Sequence, residues 1–203
     1  MTDRPPVVTL NGSYGAGSHH VGRRLADALG VPFIDQLYSS EHLEELEAES
    51  EGRGGLLAHL LNALGSATSG LDNSPATWWR STDTEIALDN TAEVRRLTEG
   101  GGVILGRNAT TILADRPNAF HVRLDAPPEV RVARAAEAGG LSVETARARL
   151  ERDDRVRADV SRRLYDWDPR RADRYDLCLN TATFDLDTCV RMILDAREKS
   201  RRA

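Results

Sequence analysis

Apolar residues in this chain come either in short unbroken runs or at helical spacing. Val7-Val8-Thr9-Leu10 is almost wholly apolar and predicts a strand buried on both faces. Val21, Leu25, Ala28 and Leu29 then fall on one side of a helix from about Ser18 to Leu29. Gly30 suits its C-cap, and Pro32 follows. Val31–Asp35 predicts a second strand. Residues 39–64 read helical, with Ser39 or Ser40 as N-cap and Glu41, Glu44 and Glu45 in the first turn. Leu56, Leu57, Leu60, Leu61 and Leu64 continue the stripe after a glycine break, and residues 65–76 read as a loop. Thr82 and Glu85 have capping-box spacing ahead of a helix reaching about Glu99. Val103-Ile104-Leu105, then Phe120, Val122 and Leu124, then Leu177-Cys178-Leu179 mark strands three to five. Ser142 caps a helix whose Ala146, Leu150, Asp153, Arg157, Val160 and Leu164 share one face, and a last helix starts near Asp187.

Strands alternating with helices predict an α/β fold: a three-layer domain with a five-stranded parallel sheet and helices on both faces. Ligands of such sheets bind beyond the carboxyl ends of the strands. Five segments therefore ring one crevice: Gly12–His20, Asp35, Gly106-Arg107-Asn108, Asp125 and Asn180–Thr183. The 203 residues fit a single domain, 1–203, with room for an insert at about 39–99 and a lid at about 142–174. A net charge of −5 gives no basic footprint for a DNA or RNA polymer. The N-terminal Met1–Pro6 has no hydrophobic signal region and no apolar run spans a bilayer, so no membrane partner is expected and the reading is cytoplasmic. Cys178 and Cys189 are expected to be buried, reduced thiols.

The chemistry concentrates in the loop between the first strand and helix. Gly12, Ser13, Tyr14, Gly15, Ala16, Gly17, Ser18, His19 and His20 have the G-x-x-x-x-G frame of a phosphate-binding P-loop, whose backbone N–H groups and helix N-terminus cradle phosphate oxygens. Gly17 is expected to leave the backbone open to phosphate. Ser18 stands where the P-loop lysine belongs, and the chain's only lysine is Lys199. Ser18 reads either as an N-cap or as a contact to phosphate or Mg²⁺; imidazole is the poorer magnesium ligand, which disfavours His19 and His20. Residues 147–174 are crowded with arginine. One reading is a solvated helix with ion pairs such as Arg149–Asp153. The other is a lid in which Arg152, Arg155 and Arg157 stabilise a transferring phosphoryl group and replace the lysine's charge. Trp78 and Trp79 read as an anchor for the insert, or as a stacking platform.

The order of these pieces resembles the cytidylate kinase-like branch of the nucleoside monophosphate kinases, over about residues 7–197. The resemblance rests on Gly12–Gly17, Leu29–Asp35, Gly106-Arg107, Glu151–Arg157 and Tyr175–Thr181. It implies a P-loop kinase-like fold, ATP and Mg²⁺ as cofactors, and a small-molecule nucleotide acceptor selected by the insert. It implies ATP phosphates on Gly12–His20, acceptor contacts at Asp35, Arg107 and Asn108, and transfer chemistry at the lid arginines. Cytidylate kinases proper have lysine, threonine and aspartate where Ser18, His20 and Asn108 stand. The divergent cytidylate kinase-like proteins also tend to lose the lysine. A nucleotide-binding module without catalysis, or a kinase of a non-nucleotide metabolite, remains the alternative.

Overall fold

The computed structural model describes residues 5–37, 39–42, 44 and 83–201. Its elements run β1 (Val7–Gly12), α1 (Ser18–Leu29), β2 (Phe33–Ile34), α2 (Asp83–Leu97), β3 (Gly102–Leu105), α3 (Ala109–Ile112) and β4 (Ala119–Asp125). Then follow α4 (Pro128–Gly139), α5 (Val143–Tyr165), a 3-10 turn (Ala172–Arg174), β5 (Leu177–Asn180) and α6 (Leu186–Glu198). The five strands form one parallel sheet in the order β2-β3-β1-β4-β5. This is the three-layer architecture expected from the alternation of strands and helices, and the P-loop kinase-like fold that the resemblance implies.

The central strand explains the layers. Val8 and Leu10 pack with Val21 and Leu25 of α1 and with Cys189, Val190 and Ile193 of α6. Val7 belongs instead to a cluster with Val94 of α2, Ala109 of α3 and Leu113. Strand alternation thus feeds two cores from one apolar run. Thr9, the run's polar member, bonds the Thr110 hydroxyl at 3.1 Å and His121 Nδ1 at 2.8 Å, which removes the cost of burying it.

β2 is shorter than the predicted Val31–Asp35. The Val31 N–H is consumed by the Ala26 carbonyl in closing α1, and Pro32 has no N–H to give. The hydrophobic pattern did not single out α4, because its buried face is only Arg131 and Val132. Its signals are a proline at the first helical position and Gly140 in left-handed conformation (φ 59°) as C-cap. The arginine-rich segment is one unbroken 23-residue helix, α5, capped by the Ser142 hydroxyl on the Thr145 N–H. Cys189 is buried, but Cys178 is exposed on the edge strand β5. The expected helix and loop over residues 45–76, and Trp78 and Trp79, lie outside the described residues. Among the described residues no helix is long and apolar enough to cross a membrane.

Candidate active site

The loop between β1 and α1 is held from behind by α4. Arg131 Nη1 donates to the Tyr14 carbonyl at 3.2 Å, and Arg134 Nη1 donates to the Gly15 carbonyl at 3.1 Å. A planar trans peptide points its N–H opposite to its carbonyl, so pulling these oxygens towards α4 turns the next amides away from it. Gly15 and Gly17 adopt left-handed conformations (φ 75° and 82°) that only glycine takes without strain. A Cβ on Gly15 would run into the Arg131 carbonyl. A Cβ on Gly17 would meet the Leu186 methyls of α6, at 2.6 Å. Packing against α6 and the backbone angle are thus reasons for the glycine at 17 that the sequence reading did not include.

Ser18 opens α1 with its hydroxyl buried beneath the loop, against the Cα of Gly12, and without a hydrogen-bond partner. It does not offer that oxygen to a metal ion in front of the loop. His19 Nδ1 lies 3.3 Å from an Asp35 carboxylate oxygen, and His20 Nε2 lies 3.2 Å from Asp187. Both imidazoles are engaged on the side of the helix.

A cavity of about 270 Å³ opens at the carboxyl ends of the strands, as the topology requires. Asn11, Gly12 and Ser13 form one end, and Gly106, Arg107 and Asn108 another. Arg123 and Asp125 contribute from β4, Arg131 from α4, and Asp154 and Arg157 from α5. Val156, Val160 and Leu164 of α5 add an apolar wall.

Arg107 and Asn108 both have positive φ (54° and 57°), unusual for residues with a Cβ. Specific bonds hold the turn. Arg107 Nε donates to the Asp35 carbonyl at 2.7 Å, and its own carbonyl accepts from Asn90 Nδ2 at 3.1 Å. Asn108 Oδ1 accepts from the Ser161 hydroxyl at 2.6 Å and from Trp167 Nε1 at 3.1 Å. An indole N–H only donates, so it fixes the amide orientation. Asp35, Arg107 and Asn108 are thus brought together as expected, although Asp35 itself does not line the cavity.

The α5 arginines separate. Arg157 lines the cavity and donates to Gln36 Oε1 at 2.6 Å. Arg152 is turned the other way. It donates to the Asp153 carboxylate at 2.8 and 3.0 Å and to the Ser40 carbonyl, and lies 3.3 Å from Glu44. Asp153 is fully buried and also accepts from the Ser40 hydroxyl. Arg155 is exposed and lies outside the cavity lining. Arg149 pairs with Glu41 and Glu44 rather than with Asp153.

Sequence reasoning missed Arg123, Arg131 and Asp154. Arg123 binds Asn11, Ser13, Asp125 and the Pro169 carbonyl. Burial works to raise the Asp125 carboxyl, but the Arg123 guanidinium outweighs it and holds the group below the usual carboxylate range. Asp154 accepts from the Tyr14 N–H at 2.9 Å and from Arg131 Nη1 at 2.6 Å. The available signal was position: Arg123 precedes the mapped Asp125 by two residues on the same strand face.

The residues present suit a nucleotide polyphosphate: a helix N-terminus, two left-handed glycines and withdrawn carbonyls. For Mg²⁺ they supply the Asp125 carboxylate beside the loop. That ion is ordinarily held by one or two carboxylates and the substrate phosphates rather than by a protein cage.

A cytidylate kinase from Methanopyrus kandleri is 27% identical over 192 residues, covering 89% of this chain and 87% of that protein. A uronate isomerase from Corynebacterium glutamicum is 31% identical over 113 residues; the match takes in 56% of this chain but only 22% of that protein. A solved structure of an uncharacterized protein from Eubacterium ventriosum covers 96% of this chain and 99% of its own, with a TM-score of 0.67 at 19% identity, which shows a shared fold. The sequence model of the cytidylate kinase-like family matches residues 7–183, and the chain belongs to that family.

Proposed function

We propose that this protein transfers a phosphoryl group from ATP, bound with Mg²⁺, to a small acceptor that already carries a phosphate, a nucleoside monophosphate being the fitting class. The carrying observation is the charge of the cavity lining: five arginines (Arg107, Arg123, Arg131, Arg157 and Arg170) against two aspartates (Asp125 and Asp154), with Asp168 and Asp153 outside the lining pairing Arg170 and Arg157. An excess of guanidinium favours an anionic acceptor over a neutral alcohol. A phosphate acceptor is ionised at neutral pH and needs no general base. Family membership supports the same reading.

ATP phosphates take amides of the Gly12–His20 loop other than those of Ser13, Tyr14 and Ala16, which donate to Leu124, Asp154 and Ser13. Arg107 and the Asn108 amide hold the acceptor, with Arg157 closing from α5. Mg²⁺, brought with the phosphates, supplies charge neutralisation across the transferring group. Arg152 ties α5 to residues 40–44 at the start of the insert and so acts on its placement.

The test is product formation with ATP, Mg²⁺ and a panel of nucleoside monophosphates and hydroxylated metabolites, separated by anion-exchange chromatography. Conversion of a monophosphate to a diphosphate supports the reading, and conversion only of a neutral alcohol overturns it. The buried, uncharged Ser18 favours a second reading, a nucleotide-binding module without catalysis. ATP binding with no product from any acceptor would establish that one.

A further inference from the structure

The charge of the absent P-loop lysine has to come from somewhere if ATP is to bind with preference for its triphosphate. Lys199, the only lysine, sits beyond the end of α6 and pairs with Asp195 at 2.5 Å. Among the described residues Arg123, Arg131 and Arg134 hydrogen-bond to Ser13 or to carbonyls of the loop, while Arg149 meets only the Tyr14 side chain and is paired with Glu41 and Glu44; the bonding of the first three distinguishes them. The two Nη atoms of Arg123 make four hydrogen bonds, to Asn11, Pro169, Ser13 and Asp125. Arg134 donates to Gly15 and twice to Thr181, and does not line the cavity. Arg131 lines the cavity and is only partly used. Its Nε donates to the Ala126 carbonyl, and its Nη1 donates to Tyr14 and Asp154. A guanidinium carries five N–H donors. The two on Nη2 have no partner among these bonds.

Asp154 shows what this place accepts. One of its carboxylate oxygens takes the Tyr14 amide and the other takes Arg131 Nη1. A loop amide and a guanidinium here converge on a single anion. The carboxylate also locks the Arg131 side chain, which is 9% exposed and lies 3.7 Å from Asp125 as well, so the guanidinium is held at the cavity without further ordering cost.

We propose that Arg131, from α4, supplies the positive charge that a P-loop lysine would bring to the ATP phosphates, with Asp154 as its positioning residue. The inference deepens the kinase reading and changes its assignment of charge from the α5 lid to α4. A lysine at position 18 provides the internal check. The side chain at 18 starts beneath the loop against the Cα of Gly12, which lines the cavity, so a lysine there has to pass Gly12 to reach the same space.

The experiment is calorimetric titration of the full-length protein with ATP and AMP in Mg²⁺, for wild type, Arg131→Met, Arg131→Lys and Ser18→Lys/Arg131→Met. Expected is a preference for ATP over AMP in the wild type, reduced 10-fold or more in Arg131→Met. Arg131→Lys should keep most of it, because it keeps the charge while losing the braced fork. The double variant should regain the preference, and its kcat on the best acceptor should exceed that of Arg131→Met by 10-fold or more. A brace without a charge role predicts the opposite: Arg131→Lys falls like Arg131→Met, and lysine at 18 rescues nothing. Either result overturns the proposal, as does a wild type that binds ATP no better than AMP. Should Arg131→Met fail to fold, Arg131→Lys alone decides, since the two roles predict different preferences for it. ATP preference without any product sinks the kinase reading and leaves this inference standing.

Discussion

Two sets of arginines lie near the same cavity and have opposite fates. Those on β4 and α4 (Arg123, Arg131 and Arg134) each give a hydrogen bond to the loop between β1 and α1, on Ser13, Tyr14 and Gly15. Those on α5 are denser in sequence, yet Arg149 and Arg152 spend theirs on Glu41, Glu44, Asp153 and the Ser40 carbonyl. The first set shapes a binding surface, and the second fastens residues 40–44 to the helix. Arginine density along a chain therefore locates charge but does not tell whether that charge is already neutralised. A helical face pairs with whatever the tertiary fold brings against it, here Glu41 and Glu44.

The largest effect should come from breaking the second set. Asp153 is fully buried, and Arg152 is its closest cation. Arg152→Ala leaves that carboxylate only the Ser40 hydroxyl and Arg157 at 3.6 Å, and the expected cost is about 3–5 kcal/mol of stability. Urea denaturation should register this loss whether or not the protein turns over substrate. A loss below about 1 kcal/mol would mean that Ser40 and Arg157 suffice, and the division into fastening and binding arginines would blur.

Arg107 tests the binding side. Its left-handed backbone is held by Asn90, and its Nε is anchored on the Asp35 carbonyl. Arg107→Ala should raise the acceptor KM on the order of 10²-fold, with a smaller change in kcat, because the contact exists before transfer as well as during it. An unchanged KM, or a fall confined to kcat, would remove Arg107 from acceptor binding. Steady-state kinetics on the best acceptor reads both.

A third comparison isolates the brace between α4 and the loop. Gly15 and Gly30 have similar left-handed angles (φ 75° and 65°). Alanine at either carries the same backbone strain, about 1–2 kcal/mol. Around Gly30 a Cβ meets nothing within 4 Å, whereas at Gly15 it runs into the Arg131 carbonyl. Gly15→Ala should therefore lower Tm further than Gly30→Ala and weaken ATP binding as well. Equal shifts in Tm, with ATP affinity intact, would show that the loop does not lean on α4.

These contrasts mark what the sequence could carry. Strand runs such as Val7–Leu10 and Val103–Leu105 are buried on both faces, so periodicity finds them, and sheet topology then places Gly12, Ser13, Gly106–Asn108 and Asp125 at one crevice without coordinates, whereas residues 14–20 and the expected Asn180–Thr183 do not line it. What escaped was set by long-range pairing. α4 buries too thin an apolar stripe to show a period, and with it went Arg131, Arg134 and the brace behind the loop. The direction of a side chain on a correctly predicted helix was equally hidden. Arg152 and Arg157 lie on the same helix, yet one turns to Asp153 and Ser40 while the other reaches Gln36 in the cavity. Ser18 carries the same lesson on a smaller scale, since its position in the motif was legible but its burial under Gly12 was not.

The smallest effect belongs to Arg155. It is exposed on α5, outside the cavity, between the buried pair Arg152–Asp153 on one side and Arg157 on the other. Surface substitutions away from specific contacts change stability by no more than about 0.5 kcal/mol, and that is the expectation for Arg155→Ala in denaturation. Its kinetics then bear on α5 itself. In the described position the side chain cannot touch a group bound in the cavity, so a fixed helix predicts a kcat close to that of the parent protein. A 10-fold fall in kcat with stability intact would require α5 to turn or close over the cavity during the reaction. That result would return the charge-stabilising role to the lid and erase the distinction between the two arginine sets.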